Sequence, residues 1–180
     1  LPVEIRGQKD FNTMPWRNGL GQTTELARAD GVDGFFWRIS RAAVAQDGPF
    51  SNFPNIDRVL FLLSGDGLIF DFGGGNISRL ESRFAHHAFP GDIPVHCRLV
   101  GGACEDLNIM TDRRWGVARV ALHPGDVKAE CSATSVFCVL DGEWRAGGRD
   151  VEPGGIVIVR AEHVALEGAG VLLQVDFLPN

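Results

Sequence analysis

Two arginines set the chemistry this chain could perform. Arg38 lies in Trp37-Arg38-Ile39-Ser40, and Arg58 follows Asp57 at the start of the apolar run Val59 to Leu63. A guanidinium held on a strand presents a planar fork of donors that matches a carboxylate. Period-two alternation places Arg38 and Ser40 on one strand face and Trp37 and Ile39 on the other. The same rule groups Asp106, Asn108 and Met110 against Leu107 and Ile109, and groups His96 with Arg98. The apolar sets are the simplest choice for a core, yet a barrel with an open mouth has room for polar sets around a cavity. There the arginines would hold an anion and Asn108 would read an amide or carboxylate. Asp106 would hold an arginine or orient His96, and Glu25, on the face of Thr23, would pair with Arg38 and fix its direction. For Arg58 the structural alternative is an ion pair with Asp57 capping the strand entrance.

A second concentration of unusual residues is the run Met14 to Glu25. Pro15 fixes its own φ, Gly19 and Gly21 permit left-handed or close-approach backbone, and Trp16, Asn18 and Glu25 add an aromatic wall with donors and acceptors. The run is expected to be a shaped polar loop folded over the mouth of the first lobe, close to Arg38 and Asn108.

Other chemistries find little support. A metal-binding barrel of this size normally draws imidazoles from a His-x-His on one strand, and the chain has none; His86 and His87 are adjacent and would point apart, while His96, His123 and His163 are scattered. No metal and no cofactor are expected. There is no Gly-x-Ser-x-Gly elbow, and Cys97 beside His96 would face the opposite side of a strand, so neither supplies a nucleophile with its base. Gly73-Gly74-Gly75 and Gly101-Gly102 open no helix and precede no lysine-serine or lysine-threonine pair, which leaves them as hairpin loops rather than phosphate cradles. Cys97, Cys104, Cys131 and Cys138 lack Cys-x-x-Cys spacing and read as buried small hydrophobes.

The elements that must position these side chains are strands. Apolar segments are short, rich in β-branched and aromatic residues, and end at glycine, proline or aspartate. Candidates run over Phe35 to Val44, Val59 to Leu63, Leu68 to Phe72, Val95 to Val100, Leu107 to Met110, Val117 to Leu122, Val136 to Leu140, Ile156 to Val159 and Val171 to Phe177. A weak internal repeat relates Val59 to Gly67 with Val136 to Glu143, each a buried strand entering a glycine turn. It also relates Phe89-Pro90-Gly91-Asp92 with Glu152-Pro153-Gly154-Gly155, each a Pro-Gly turn that launches a strand. In each copy the order strand, glycine turn, strand, Pro-Gly turn, strand resembles a cupin, and the two copies imply an all-β bicupin, two jelly-roll-type β-barrel or sandwich lobes packed together. The expected lobes are 1–113, holding the ligand pocket, and 114–180.

Seventeen basic and twenty-three acidic residues give a net charge of −6 without a run of like charge, and the chain has no tyrosine, so a nucleic-acid face is not expected. No apolar stretch approaches the length of a membrane span, and the first residues lack the charged start and apolar core of a secretory signal. The expected location is cytoplasmic. Against an acidic background, a local pair of arginines would form a selective anion trap.

Set together, Trp16-Arg17-Asn18-Gly19-Leu20-Gly21-Gln22-Thr23-Thr24-Glu25, the strand Trp37 to Ser40, Gly48 to Pro54 leading to Asp57-Arg58, and Asp106 to Met110 resemble the HutD/Ves family over most of the first 115 residues. Two positions depart from its pattern: Leu20 stands where a small residue is frequent, and Asn55 where glycine is usual, which puts the turn before Asp57 at issue. The resemblance implies a metal-independent bicupin of bacterial histidine catabolism with a regulatory or metabolite-sensing role. Its implied partner is a small carboxylate of histidine breakdown, such as urocanate or formylglutamate, held by Trp16, Asn18, Glu25, Arg38, Arg58, His96, Asp106 and Asn108. Two other readings stay open. One is a metal-free cupin enzyme acting on a histidine-pathway acid, with Glu25 or His96 as base; the other is a protein-interaction module docking through Met14 to Glu25. Sheet edges of such folds also leave a homodimer open.

Overall fold

The computed structural model describes residues 3–16 and 19–180, and strands carry most of them; among the described residues the helical element is one short turn at Gln8–Asp10. The strands, in chain order, are β1 (Val3–Arg6), β2 (Asn12–Pro15), β3 (Gly21–Gly31), β4 (Gly34–Val44), β5 (Gly48–Pro49), β6 (Ile56–Ser64), β7 (Leu68–Asp71), β8 (Ile77–Leu80), β9 (His86–Pro90), β10 (His96–Leu99), β11 (Cys104–Asp112), β12 (Gly116–His123), β13 (Val127–Glu130), β14 (Thr134–Ala146), β15 (Arg149–Val151), β16 (Ile156–Arg160) and β17 (His163–Pro179).

The chain divides into two compact units. One is Asn12–Trp115; the other joins residues 3–11 to Gly116–Asn180. Assigning everything before the boundary to the first lobe is therefore corrected at the start of the chain. Val3 to Arg6 add an antiparallel strand to Ile156–Arg160, with Val3 opposite Val159 and Ile5 opposite Val157, and Val3 and Ile5 pack against the second unit's core.

In the unit Asn12–Trp115, a six-stranded antiparallel sheet in the order β2-β3-β4-β11-β6-β9 faces a four-stranded sheet in the order β5-β10-β7-β8. Leu60, Leu62 and Phe89 of the first meet Leu68, Phe70, Leu80 and Cys97 of the second in one apolar cluster. Alternate residues on the other face of the larger sheet, Trp37, Ile39, Phe61, Leu107 and Ile109, are also buried. Polar and apolar sets on these strands are thus both shielded, and the choice between them as core does not arise.

The run Met14 to Glu25 is a hairpin rather than a loop. Met14 and Pro15 close β2, Gly21 opens β3, and Met14 pairs with Thr23 and Pro15 with Gln22. The Trp16 amide donates to the Gly21 carbonyl at 2.9 Å, and Gly19, at φ 72°, donates to the Trp16 carbonyl at 3.1 Å. Thr13 and Thr24 hydroxyls meet across the strands at 2.7 Å. A proline in a strand is tolerated here because β2 is a sheet edge, where its missing N–H removes no ladder bond.

In the other unit, one sheet in the order β1-β16-β14-β17-β12 carries β13 on β17 and β15 on β14. Phe137, Trp144, Val157, Leu166 and Leu172 form its core. The glycine turn expected after Leu140 is instead a bulge inside β14, where the register with β17 shifts between Val139 and Asp141. The strand continues because Gly142 takes φ 82° against the facing Ala169–Gly170 segment, and a Cβ there would drive into the Ala169 carbonyl oxygen. Just beyond, Trp144 returns its indole N–H to the Asp141 carbonyl at 2.9 Å. Replacing Gly142 by alanine combines left-handed strain with overlap, so Gly142→Ala should lower unfolding free energy by at least about 2 kcal/mol, measured by urea denaturation followed by tryptophan fluorescence.

Candidate functional site

Antiparallel pairing brings the polar positions of three strands into adjacent rows. Arg38 lies opposite Met110, which lies opposite Arg58; Ser40 opposite Asn108, opposite Leu60; Ala42 opposite Asp106, opposite Leu62. Directly paired residues share a sheet face, so Arg38, Ser40, Asp106, Asn108 and Arg58 all look toward the inside of the sandwich. At the Asp106 end the partner strand bulges: Glu105 pairs with Ser64 and Asp106 with Leu62, leaving Leu63 of β6 as the extra residue. At one end of this face the two sheets close on the apolar cluster. At the other they leave a cavity of about 700 Å³, with Met14, Pro15, Trp16 and Thr23 of the hairpin and Pro49, Phe50, Ser51 and Phe53 forming its walls.

Arg58 is the centre of this cavity. Only 5% of it is exposed, and its guanidinium carbon lies 5.0 Å from the ring centre of Phe89, 5.3 Å from Phe50 and 5.5 Å from Phe53. The π-faces compensate part of its lost hydration. Its Nε donates to Asn108 Oδ1 at 3.3 Å, and among the described residues no acceptor takes its terminal nitrogens. Burial lowers its pKa to about 10, with Asp106 and Cys97 opposing the fall, so the group stays cationic at neutral pH.

Asp106 is the second buried ionisable group, 1% exposed, and its Oδ1 has no hydrogen-bond partner. Burial pushes its pKa up to about 7; Arg58 pulls it down and Glu105 pushes it further up. Cys97, reaching in from the facing sheet, is held up at about 12 chiefly by burial, and the Asp106 charge adds to the shift. That thiol stays protonated and is no nucleophile.

Arg38 is fixed differently. Its Nε donates to Glu25 Oε2 at 2.8 Å, with Arg28 lying 3.9 Å from the same oxygen. Trp16 is held by its own strand pair, its indole N–H donating to Thr23 Oγ1 at 2.7 Å.

Of the eight residues singled out by sequence, Trp16, Arg38, Arg58, Asp106 and Asn108 line the cavity, and Glu25 stands behind Arg38. Asn18 lies outside the described residues. His96 is corrected: on β10 it alternates with Cys97, and because Cys97 fills the core, His96 points outward and is exposed, with Arg98. The Asp57–Arg58 ion pair is corrected too. Asp57 pairs instead with Arg113, whose guanidinium also reaches Asp92 at 2.6 Å and the Ile56 carbonyl at 3.2 Å, bracing the strand entrance. Asn55, at the position of the usual glycine, takes φ 64°, a left-handed conformation that asparagine tolerates better than most residues. The residues not foreseen are the phenylalanines around Arg58. Phe50 and Phe53 belong to Gly48 to Pro54, and the signal that could have found them is two aromatic residues between prolines just before a buried arginine.

Among the described residues, no group of three or more His, Cys, Asp or Glu side chains is placed to hold a metal ion.

Two all-β units, one with a cavity between its sheets, define this chain as a cupin-type protein of the bicupin class. The chain belongs to the HutD family, whose model matches residues 8–177. It is 34% identical to an uncharacterized 21.2 kDa protein in the hutC 3′ region of Pseudomonas putida, across 97% of this chain and 92% of that one. It is 32% identical to protein Ves of Cronobacter sakazakii, across 80% and 81% of the two chains. Among solved structures, HutD from Pseudomonas fluorescens SBW25, determined in a formate condition, superposes with a TM-score of 0.87 at 26% identity, covering 98% of this chain and 99% of that one.

The neutral form of Asp106 makes stability depend on pH with a definite sign. Its folded pKa, about 7, exceeds the ordinary 3.8, so its contribution is fully present below about pH 4 and is lost as pH rises toward 7. The wild type measured against Asp106→Asn should lose up to about 4 kcal/mol of relative stability across that window, read from urea denaturation at several pH values.

Proposed function

We propose that the cavity of the Asn12–Trp115 unit binds a small carboxylate metabolite and that the protein thereby modulates histidine catabolism. The observation that carries this is Arg58, a nearly sealed cation whose terminal nitrogens find no acceptor in the described protein. A buried charge without a partner is costly, and an incoming carboxylate would supply the missing acceptors while itself being desolvated only in part. Arg38, already aimed by Glu25, would engage the ligand from β4. Trp16 would close over a planar or apolar portion, and Asn108 would read a second polar group.

Family membership and the hut-locus relative support the pathway. On that basis urocanate, a planar acid, and formylglutamate, a flexible diacid, are the ligands to try first. A protein that senses these compounds would work in the cytoplasm beside the enzymes that process them. No helix among the described residues is long and apolar enough to cross a membrane.

The enzymatic alternative has lost both of its suggested bases: His96 lies outside the cavity, and Glu25 is committed to Arg38. The test is titration calorimetry together with NMR. Urocanate or formylglutamate should bind and stay intact, and Arg38→Ala should weaken binding by at least about tenfold, the loss expected for one charge-assisted contact. Consumption of either compound would replace the sensor with an enzyme. Unchanged affinity in Arg38→Ala would remove Arg38 from the site.

A further inference from the structure

The cavity holds two buried groups that do not satisfy each other. Arg58 bonds only Asn108 among the described residues, Asp106 Oδ1 has no donor, and no hydrogen bond or ion pair joins the two. Their coupling acts through space alone. What surrounds Asp106 decides how the site handles an incoming anion. Directly opposite are Ala42 on β4 and Leu62 on β6, both apolar. Arg58 comes from β6, Cys97 from β10 with its thiol protonated, and Glu105 from its own strand. On the same face Arg38 of β4 and Glu25 of β3 form an ion pair, and β9 places His87 opposite Leu60, beside Phe89. Among the described residues lining the cavity, Arg58 is therefore the cation whose charge no ion pair offsets.

We propose that the cavity is a proton-coupled site for singly charged carboxylates: the ligand takes the Arg58 guanidinium, and Asp106 accepts a proton from solvent as the ligand enters. The inference rests on the carboxylate-binding reading above and deepens it. With the ligand bound and Asp106 ionised, two anions would share one guanidinium in a poorly hydrated space, an arrangement in which one carboxylate takes up a proton. Asp106 is nearly sealed and its Oδ1 has no donor, so a proton arriving from solvent is what neutralises it. As a neutral acid, Asp106 then has an O–H to donate. A doubly charged acid brings a second negative charge, for which the described lining offers only Arg38, its charge already offset by Glu25, so the site discriminates by charge as well as by shape.

Titration calorimetry of the full chain measures this directly. Urocanate is titrated between about pH 7 and 9, where its own imidazole is neutral, in buffers of different ionisation enthalpy. Close to one proton should be taken up per ligand at the upper end, and affinity should fall by about tenfold per pH unit above the apo Asp106 pKa of about 7. Formylglutamate should bind at least about tenfold more weakly than urocanate at the same pH. Asp106→Asn should abolish proton uptake whatever its affinity; if that variant does not fold, the wild-type uptake and its pH slope are the deciding measurements. Binding without proton uptake, uptake that persists in a folded Asp106→Asn protein, or a preference for the diacid would overturn the inference while leaving a carboxylate site in place. Absence of binding by either compound would overturn both readings together.

Discussion

Arg58 is the constraint around which the N-terminal unit is arranged. A guanidinium in a protein cannot discharge itself as a buried lysine or carboxyl can, so the surroundings must carry its charge. They do so incompletely, with one side-chain amide, three phenylalanine faces and a carboxyl that acts only at a distance. The three rings come from β9 and from the segment after β5, so placing this one cation fixes the spacing of elements that are far apart in sequence. A buried polar group left short of partners is destabilising in the empty protein, and such deficits recur where proteins meet ligands.

The fold supplies the rigidity that such a site needs. Antiparallel pairing of β4, β11 and β6 holds Arg38, Asn108 and Arg58 at fixed spacings, and the Arg113 brace between Asp57, Asp92 and the Ile56 carbonyl secures the strand entrance beside Arg58. The phenylalanine wall and hairpin sit on this frame rather than on long free loops. The cavity between the sheets is lined by guanidinium, amide and aromatic groups.

Strand periodicity makes much of this legible in the sequence. The shared faces of Arg38 with Ser40 and of Asp106 with Asn108 follow from alternation alone, and antiparallel register carries them into one cavity. Alternation could not say which face looks inward on a short peripheral strand, and His96 was lost for that reason: only the apolar neighbours of Cys97 in the facing sheet decide it. Asp141-Gly142 misled for a different reason. A glycine with positive φ serves equally in a turn or in a bulge, and the choice depends on the facing Ala169–Gly170 backbone, which is distant in sequence. The N-terminal strand and the aromatic surround of Arg58 were missed because each is created by long-range pairing that leaves little local pattern.

The edge strand β2 carries a further meaning. Cavity-lining Met14 and Pro15 lie on the outermost strand of the six-stranded sheet, where an ordinary strand would offer a template to any extended chain nearby. Proline gives that border one fewer donor and a fixed bend, so it is a poor surface on which to add another strand. The residue that shapes the wall of the cavity is thus also the one that makes its border a poor template for an added strand.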